Sequence, residues 1–152
     1  MSGAGSRRRG HRFERDVANL LAETLDLDVV TARSVSGGTQ AGADLVTVEP
    51  GGTVVPTVEG WSVECKSTQN AHQPTAWMRQ AKRQADSDLY VVIADNPRRP
   101  FADSTCYLTS KALRWWLGDG LAVFEPDDRT VWVSFGAWLD MLSLDVPAGN
   151  RP

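Results

Sequence analysis

Apolar positions recur along the chain at two periods, and each change of period marks where a helix gives way to strands. Between Gly10 and Leu25 they fall at Phe13, Val17, Leu20, Leu21 and Leu25, the stripe of an amphipathic helix. Glu14 lies one residue off that stripe, in line with Ala18 and Leu21, so an acid is expected near the buried edge of the first turns, where it also suits the helix dipole. Leu27 to Ala32 reads as a short β-branched strand and Ser34 to Gly42 as a Gly/Ser-rich loop. A strand from Ala43 to Glu49, a turn at Pro50-Gly51-Gly52, a hairpin partner at about Val54 to Val58 and a strand from Trp61 to Ser67 follow.

In the second half, Pro74 starts a helix running to about Asp86. Leu89 to Ala94 is a continuous apolar run, the pattern of a strand buried on both faces. Residues 96–100 form a loop, Tyr107 to Thr109 begins a strand or turn, and Ser110 caps a short helix through Leu117 that Gly118-Asp119-Gly120 ends. Leu121 to Phe124 and Thr130 to Ser134 read as a terminal hairpin, with Gly136 to Leu142 as a last helix. The order of elements fits an α/β fold, a mixed central β-sheet flanked by helices. One domain spans about 10–145, between a flexible basic arm at 1–9 and a tail at 146–152.

With 152 residues, 41% of them hydrophobic, the chain suits one domain with a real core. No apolar run approaches the roughly 20 residues of a membrane span, and the N-terminus lacks the apolar stretch of a signal peptide, so the expected compartment is the cytoplasm. Cys65 and Cys106 are too few for a disulfide framework and are expected as reduced, buried thiols. The net charge of −3 argues mildly against a polyanionic partner, but its distribution argues the other way. Arg7, Arg8, Arg9, Arg12 and Arg15 cluster beside His11 with Glu14 as their only acid, while acids outnumber bases from Asp86 onward. Phosphate responds to the local field, because screening removes distant charges beyond about 8 Å. A solubilising arm explains the same cluster equally well.

Strand period isolates the candidate chemistry. In the strand from Trp61, the side chains of Trp61, Val63 and Cys65 share one face, while Ser62, Glu64 and Lys66 share the other. An acid and a lysine among buried neighbours need partners, and a metal ion with a phosphate would supply them. Asp44, about 20 residues earlier and directly after the Gly/Ser loop, heads a neighbouring strand and can reach the same point. Two carboxylates suit Mg²⁺, which takes hard oxygen ligands and keeps several waters, and an adjacent lysine can orient water and offset charge on a phosphate. The plain alternative is an ordinary strand salt bridge.

The set Glu14, Asp44 and Glu64-Cys65-Lys66 resembles the PD-(D/E)xK nuclease superfamily, and more narrowly the archaeal-type Holliday junction resolvases also carried by some phages. Four pieces match in order over about residues 9–95: the basic helix from Arg9 to Arg15, the loop from Ala32 to Gly38, Asp44 opening a strand, and Val63 to Ser67. The resemblance implies a restriction-endonuclease-like core and an endonuclease that depends on Mg²⁺, with Mn²⁺ as a possible substitute. It implies Asp44 and Glu64 as metal ligands, Glu14 as a third and water-mediated one, Lys66 serving the water, and Ser34 near the scissile phosphate. Arg9, Arg12, Arg15, Arg33, Ser36 and Gln80 would contact DNA. Ala43 stands where the motif's name has proline, a position with no chemical role.

The implied partner is branched double-stranded DNA, cut by a homodimer, because resolving a junction takes two symmetry-related nicks. Other enzymes of the superfamily, acting on linear, nicked or flapped DNA, would use the same residues, and an inactive DNA-binding protein would lack one of them. No nucleotide cofactor is expected, since the glycines at 37, 38 and 42 lead into no G-K-[ST] sequence. His11 and His72 read as solvent-exposed rather than as zinc ligands. Ser67 and Thr68 read as loop caps and Arg98-Arg99 as a solvated turn. Trp115 and Trp116 point about 100° apart on a helix, so one is left for a subunit interface or for packing under the terminal hairpin.

Overall fold

The computed structural model describes residues 3–36, 42–117 and 129–144. Helix α1 (Gly3–Leu25) carries the expected stripe and buries Phe13, Val17, Ala18 and Leu21. It begins well before the stripe, so residues 3–9 extend the helix where an arm was expected; arginine propagates a helix well and no proline interrupts the segment. Its end is fixed by Asp26, which takes a left-handed φ of 54° that aspartate tolerates. That reversal lets the Leu27 N–H reach back to the Ala22 carbonyl at 3.3 Å and directs Leu27 onto the core.

The chain then builds a small antiparallel sheet from β1 (Val29–Thr31), β2 (Leu45–Val48) and β3 (Val54–Val55), in the order β1-β2-β3. Between β1 and β2 a five-residue helix, α2 (Ala32–Ser36), occupies the first part of what the sequence presented as loop. Residues 37–41, with Gly37 and Gly38, lie outside the described residues. The second sheet takes β4 (Ser62–Lys66), β5 (Tyr90–Ala94), β6 (Thr105–Thr109) and β7 (Thr130–Ser134) in that order, with β4 and β5 parallel and the other pairs antiparallel. The parallel pair is joined by α3 (Pro74–Gln84), which starts on proline and ends with Lys82 and Arg83 in its last turn. The helix is shorter than expected because Ala85 turns to extended backbone.

The expected single sheet is therefore two hydrogen-bonded sets, still a mixed α/β fold of the restriction-endonuclease-like kind. β7 pairs with β6; its expected hairpin partner, 121–124, lies outside the described residues, as does the tail 146–152. Helix α4 (Ser110–Leu117) is capped one residue earlier than expected, the Thr109 hydroxyl accepting from the Ala112 N–H at 3.0 Å. The side chains of Trp115 and Trp116 lie outside the described residues. At α5 (Phe135–Ser143) the Ser134 hydroxyl accepts from the Ala137 N–H.

Both faces of the larger sheet are covered at β5, whose five residues are all buried. On one face α1 and α5 close the main core around Trp61, Val63, Val91, Ile93, Phe135 and Trp138, with the Trp61 and Trp138 rings edge-to-face at 5.9 Å. On the other, α3 packs Met78 and Ala81 onto Tyr90 and Val92 in a much smaller cluster. Cys65 and Cys106 are free and buried, and burial pushes both thiols well above their ordinary pKa. No helix among the described residues is long and apolar enough to cross a membrane.

Leu21, fully buried between α1 and the main core, measures the strength of that packing. Leu21→Ala should cost about 2–5 kcal/mol in urea unfolding, the range for a buried leucine whose cavity cannot collapse. A loss under about 1 kcal/mol would show that α1 contributes little to the fold.

Candidate active site

The alternation read in the sequence holds in β4: Trp61, Val63 and Cys65 enter the main core, and Glu64 and Lys66 face α3. There they meet Gln80, which stands on the inner side of α3, and the three close a ring. The Lys66 ammonium donates to Glu64 Oε1 at 2.6 Å and to Gln80 Oε1 at 3.1 Å, and Gln80 Nε2 donates to the same Glu64 oxygen at 2.9 Å. Side-chain exposure of 7% for Glu64 and 22% for Lys66 makes this a largely buried ion pair, whose partners cannot be removed singly without stranding a charge. Both donors reach Oε1, so Oε2 is free of donors among the described residues.

Asp44 arrives from the other sheet. Its N–H donates to the Val63 carbonyl at 2.9 Å, its carbonyl accepts from the Ala32 N–H at 2.8 Å, and its Oδ2 accepts from the Cys65 N–H at 2.8 Å. Backbone and side chain are thus both fixed against β4. Glu14 stands on the facing side of α1 with 12% of its side chain exposed and Arg33 Nη2 at 3.5 Å.

All three carboxyls titrate above their ordinary range. Desolvation is the largest cause for each. The Asp44 charge then raises Glu14 and Glu64 further, whereas Lys66 and Arg33 lower Asp44 only in part. The site therefore holds more negative charge than its own cations satisfy. Hard oxygen donors in that state fit Mg²⁺ or Mn²⁺, which is usually held by one or two protein carboxylates, with water and phosphate completing the shell. Asp44 and Glu64 supply that pair. Glu14 stands near enough that the Asp44 charge raises it and its own charge raises Glu64, though among the described residues no three acidic, histidine or cysteine side chains gather as a ready-made metal cluster.

The other expected residues divide by what already engages them. Gln80, expected on DNA, uses its amide on Glu64 and Lys66. Arg33 lies against Glu14, and the Ser34 hydroxyl donates to the Thr31 carbonyl at 2.7 Å. Arg12 and Arg15 are exposed on α1, Arg12 in a loose pair with Asp16 at 3.8 Å that is worth little, and Arg9 is half-buried. The side chain of Ser36 lies outside the described residues. His11 is exposed on α1.

His72 departs from expectation. It is half-buried, with Nδ1 at 2.8 Å from the Tyr107 hydroxyl and Nε2 at 2.9 Å from the Asp95 carbonyl. A carbonyl only accepts, so Nε2 carries a proton. Sequence spacing gave no signal of this, because Tyr107 lies 35 residues away on β6. Thr68 caps its own loop, accepting from the Asn70 N–H, whereas Ser67, expected to do the same, donates to Asp95 Oδ2 just past the end of β5.

The raised carboxyls give a stability test. A carboxyl whose folded pKa lies above its unfolded value favours folding fully below the unfolded value and loses that contribution as pH rises through the folded one. With divalent ions chelated, Asp44→Asn should therefore melt above the parent at neutral pH, with the difference closing as the pH falls below the carboxylate range. Adding Mn²⁺ should raise the melting temperature of the parent and leave that of Asp44→Asn nearly unmoved. Equal shifts in both would place the ion elsewhere.

A family model described as "Phage putative PDDEXK endonuclease" matches residues 5–94, the stretch from α1 through β5 that carries every residue of this site. No curated protein and no solved structure matches the chain. With more than half its length matched and the acid, acid and lysine in order at Asp44, Glu64 and Lys66, the chain belongs to the phage PD-(D/E)xK endonuclease family.

Proposed function

We propose that the protein is a metal-dependent endodeoxyribonuclease that hydrolyses phosphodiester bonds at Asp44, Glu64 and Lys66, with branched duplex DNA as its substrate. The observation that carries the reading is the under-neutralised group of buried acids beside a lysine whose position is fixed from two sides. Asp44 Oδ1 and Glu64 Oε2 are the oxygens left over after the internal hydrogen bonds, and they would hold Mg²⁺ or Mn²⁺. The bound ion would polarise the phosphoryl oxygen and lower the pKa of the attacking water.

The protein's own residues do the remaining work. Lys66 holds the attacking water and offsets the negative charge that grows on the phosphoryl oxygens. Gln80 accepts a second hydrogen of the ammonium at 3.1 Å and so fixes the direction in which the remaining one points. Glu14, turned toward the site from α1, accepts from a water on the metal side and is balanced by Arg33. Arg12 and Arg15, exposed on the same helix, contact backbone phosphates.

The narrower form of the reading is a resolvase that cuts four-way junctions as a two-fold homodimer. The basic, exposed start of α1 supports it, since recognition by phosphate and branch shape needs local positive charge more than base-reading side chains. Cleavage of four-way, flapped and linear DNA in Mg²⁺ should favour the four-way junction. Asp44→Ala and Lys66→Ala should each lose about 10²–10³-fold or more in rate, the scale for removing one group that stabilises transition-state charge. Parent-like cutting by both variants would remove the assignment; equal cutting of all three substrates would remove the junction alone.

A further inference from the structure

The face of the larger sheet that bears Glu64 continues past α3. In register, Glu64 pairs with Val92, Val92 with Tyr107, and Tyr107 with Trp132, so these four side chains form one row across β4, β5, β6 and β7. Helix α3 covers the row over β4 and β5 and its edge reaches Tyr107 through Trp77, while Trp132 on β7 lies open beyond it. Trp132, at the open end, is 70% exposed, more than any other large apolar side chain among the described residues. An indole left this open on the same sheet face as the site is a large flat apolar surface within reach of a ligand that occupies the site.

The rings between the site and Trp132 are held rigidly. Trp77 leans from α3 over Tyr107 with centroids 6.4 Å apart, and His72 fills the angle between them at 5.4 and 5.8 Å. The hydrogen bonds of His72 to Tyr107 and Asp95 lock that group. Cations flank it. Arg98 and Arg99 are exposed in the loop after β5, at the same end of the sheet as Lys66, and neither forms an ion pair among the described residues. Asn96 pins that loop to the start of β6, donating to the Asp103 carbonyl at 2.7 Å and to the Thr105 hydroxyl at 3.1 Å.

An exposed indole on the sheet face that bears the site, with exposed arginines at the end of the same sheet, is the chemistry that holds unpaired nucleotides: rings take the base faces and guanidiniums the backbone. Three strand spacings separate Glu64 from Trp132, about 14 Å, or about four nucleotides at the spacing of one strand of B-DNA. We infer that the Trp132 indole, at the open end of this row beside Tyr107, is a stacking surface for unpaired bases adjoining the cut, with Arg98 and Arg99 as its phosphate contacts. The surface grips strands that part at a branch point beside the scissile bond, for which a gap is the simplest stand-in. This deepens the nuclease reading and rests on it.

Binding is the test, measured with divalent ions chelated so that it does not depend on cleavage. The parent should bind a duplex with a single-stranded gap more tightly than a fully paired duplex of equal length. Trp132→Thr, which keeps a strand-forming residue at an exposed position, should lose about tenfold on the gapped DNA and little on the paired one. Trp132→Phe should restore most of the loss. In the parent itself, bromouracil placed in the gap should crosslink under light to the segment holding Trp132. Equal binding of gapped DNA by Trp132→Thr and parent, equal losses on both DNAs, or crosslinks confined to other segments would each overturn the inference. Intact gap preference without any cleavage in Mg²⁺ or Mn²⁺ would instead strike the nuclease reading and leave the stacking surface standing.

Discussion

The Asp44 N–H, donated to the Val63 carbonyl, is the bond on which the arrangement of this protein turns. The two sheets are separate ladders, and Asp44 is where the smaller one is fastened to β4. Its carbonyl holds the start of α2 through Ala32, and its carboxylate holds the Cys65 N–H. One residue thus satisfies three backbone groups and carries the charge that perturbs Glu14 and Glu64. Position and chemistry are inseparable here, because the same hydrogen bonds that join the sheets fix how close the carboxylates must stand.

That closeness is unfavourable in the protein alone. Desolvation pushes all three carboxyls toward their neutral forms, the Asp44 charge adds to it at Glu14 and Glu64, and Lys66 offsets only part of it at Asp44 and Glu64. The main core on the opposite face of β4 bears the cost: Trp61, Val63 and Cys65 anchor the strand from behind while Glu64 and Lys66 face α3. Packing thereby holds charged groups in a geometry they would leave if free, which is the usual condition of a site prepared for a ligand of opposite sign.

Much of this was legible in the residues. Period two in β4 separated the chemical face from the core face, and the apolar run at 89–94 announced a doubly covered strand. The helix-period stripe from Phe13 put Glu14 at the edge of the core, where it stands. What stayed hidden depends on contacts distant in sequence. Gln80 was expected on DNA because only its helix was visible, not that its amide meets Glu64 and Lys66 across the strand. His72 looked solvent-exposed because its partners, Tyr107 on β6 and Asp95 just after β5, are brought to it by a register that no local pattern reveals. The division into two sheets was likewise beyond reach, since it follows from the place where β2 and β4 part.

The two cores differ greatly in size, and the smaller one sits under α3. Met78 and Ala81 rest on only Tyr90 and Val92, with Trp77, Ala85 and Tyr107 at the margin, whereas α1 and α5 are bound into the extensive packing on the far side of the sheet. Local opening follows the amount of apolar surface that must be uncovered. Of the helices these two cores hold on the larger sheet, α3 is therefore the cheaper to detach, and its departure would take Gln80 from the Glu64–Lys66 pair while the sheet beneath stayed folded. The ring of Glu64, Lys66 and Gln80 thus hangs on the lesser core, and on warming it should open before the sheet does.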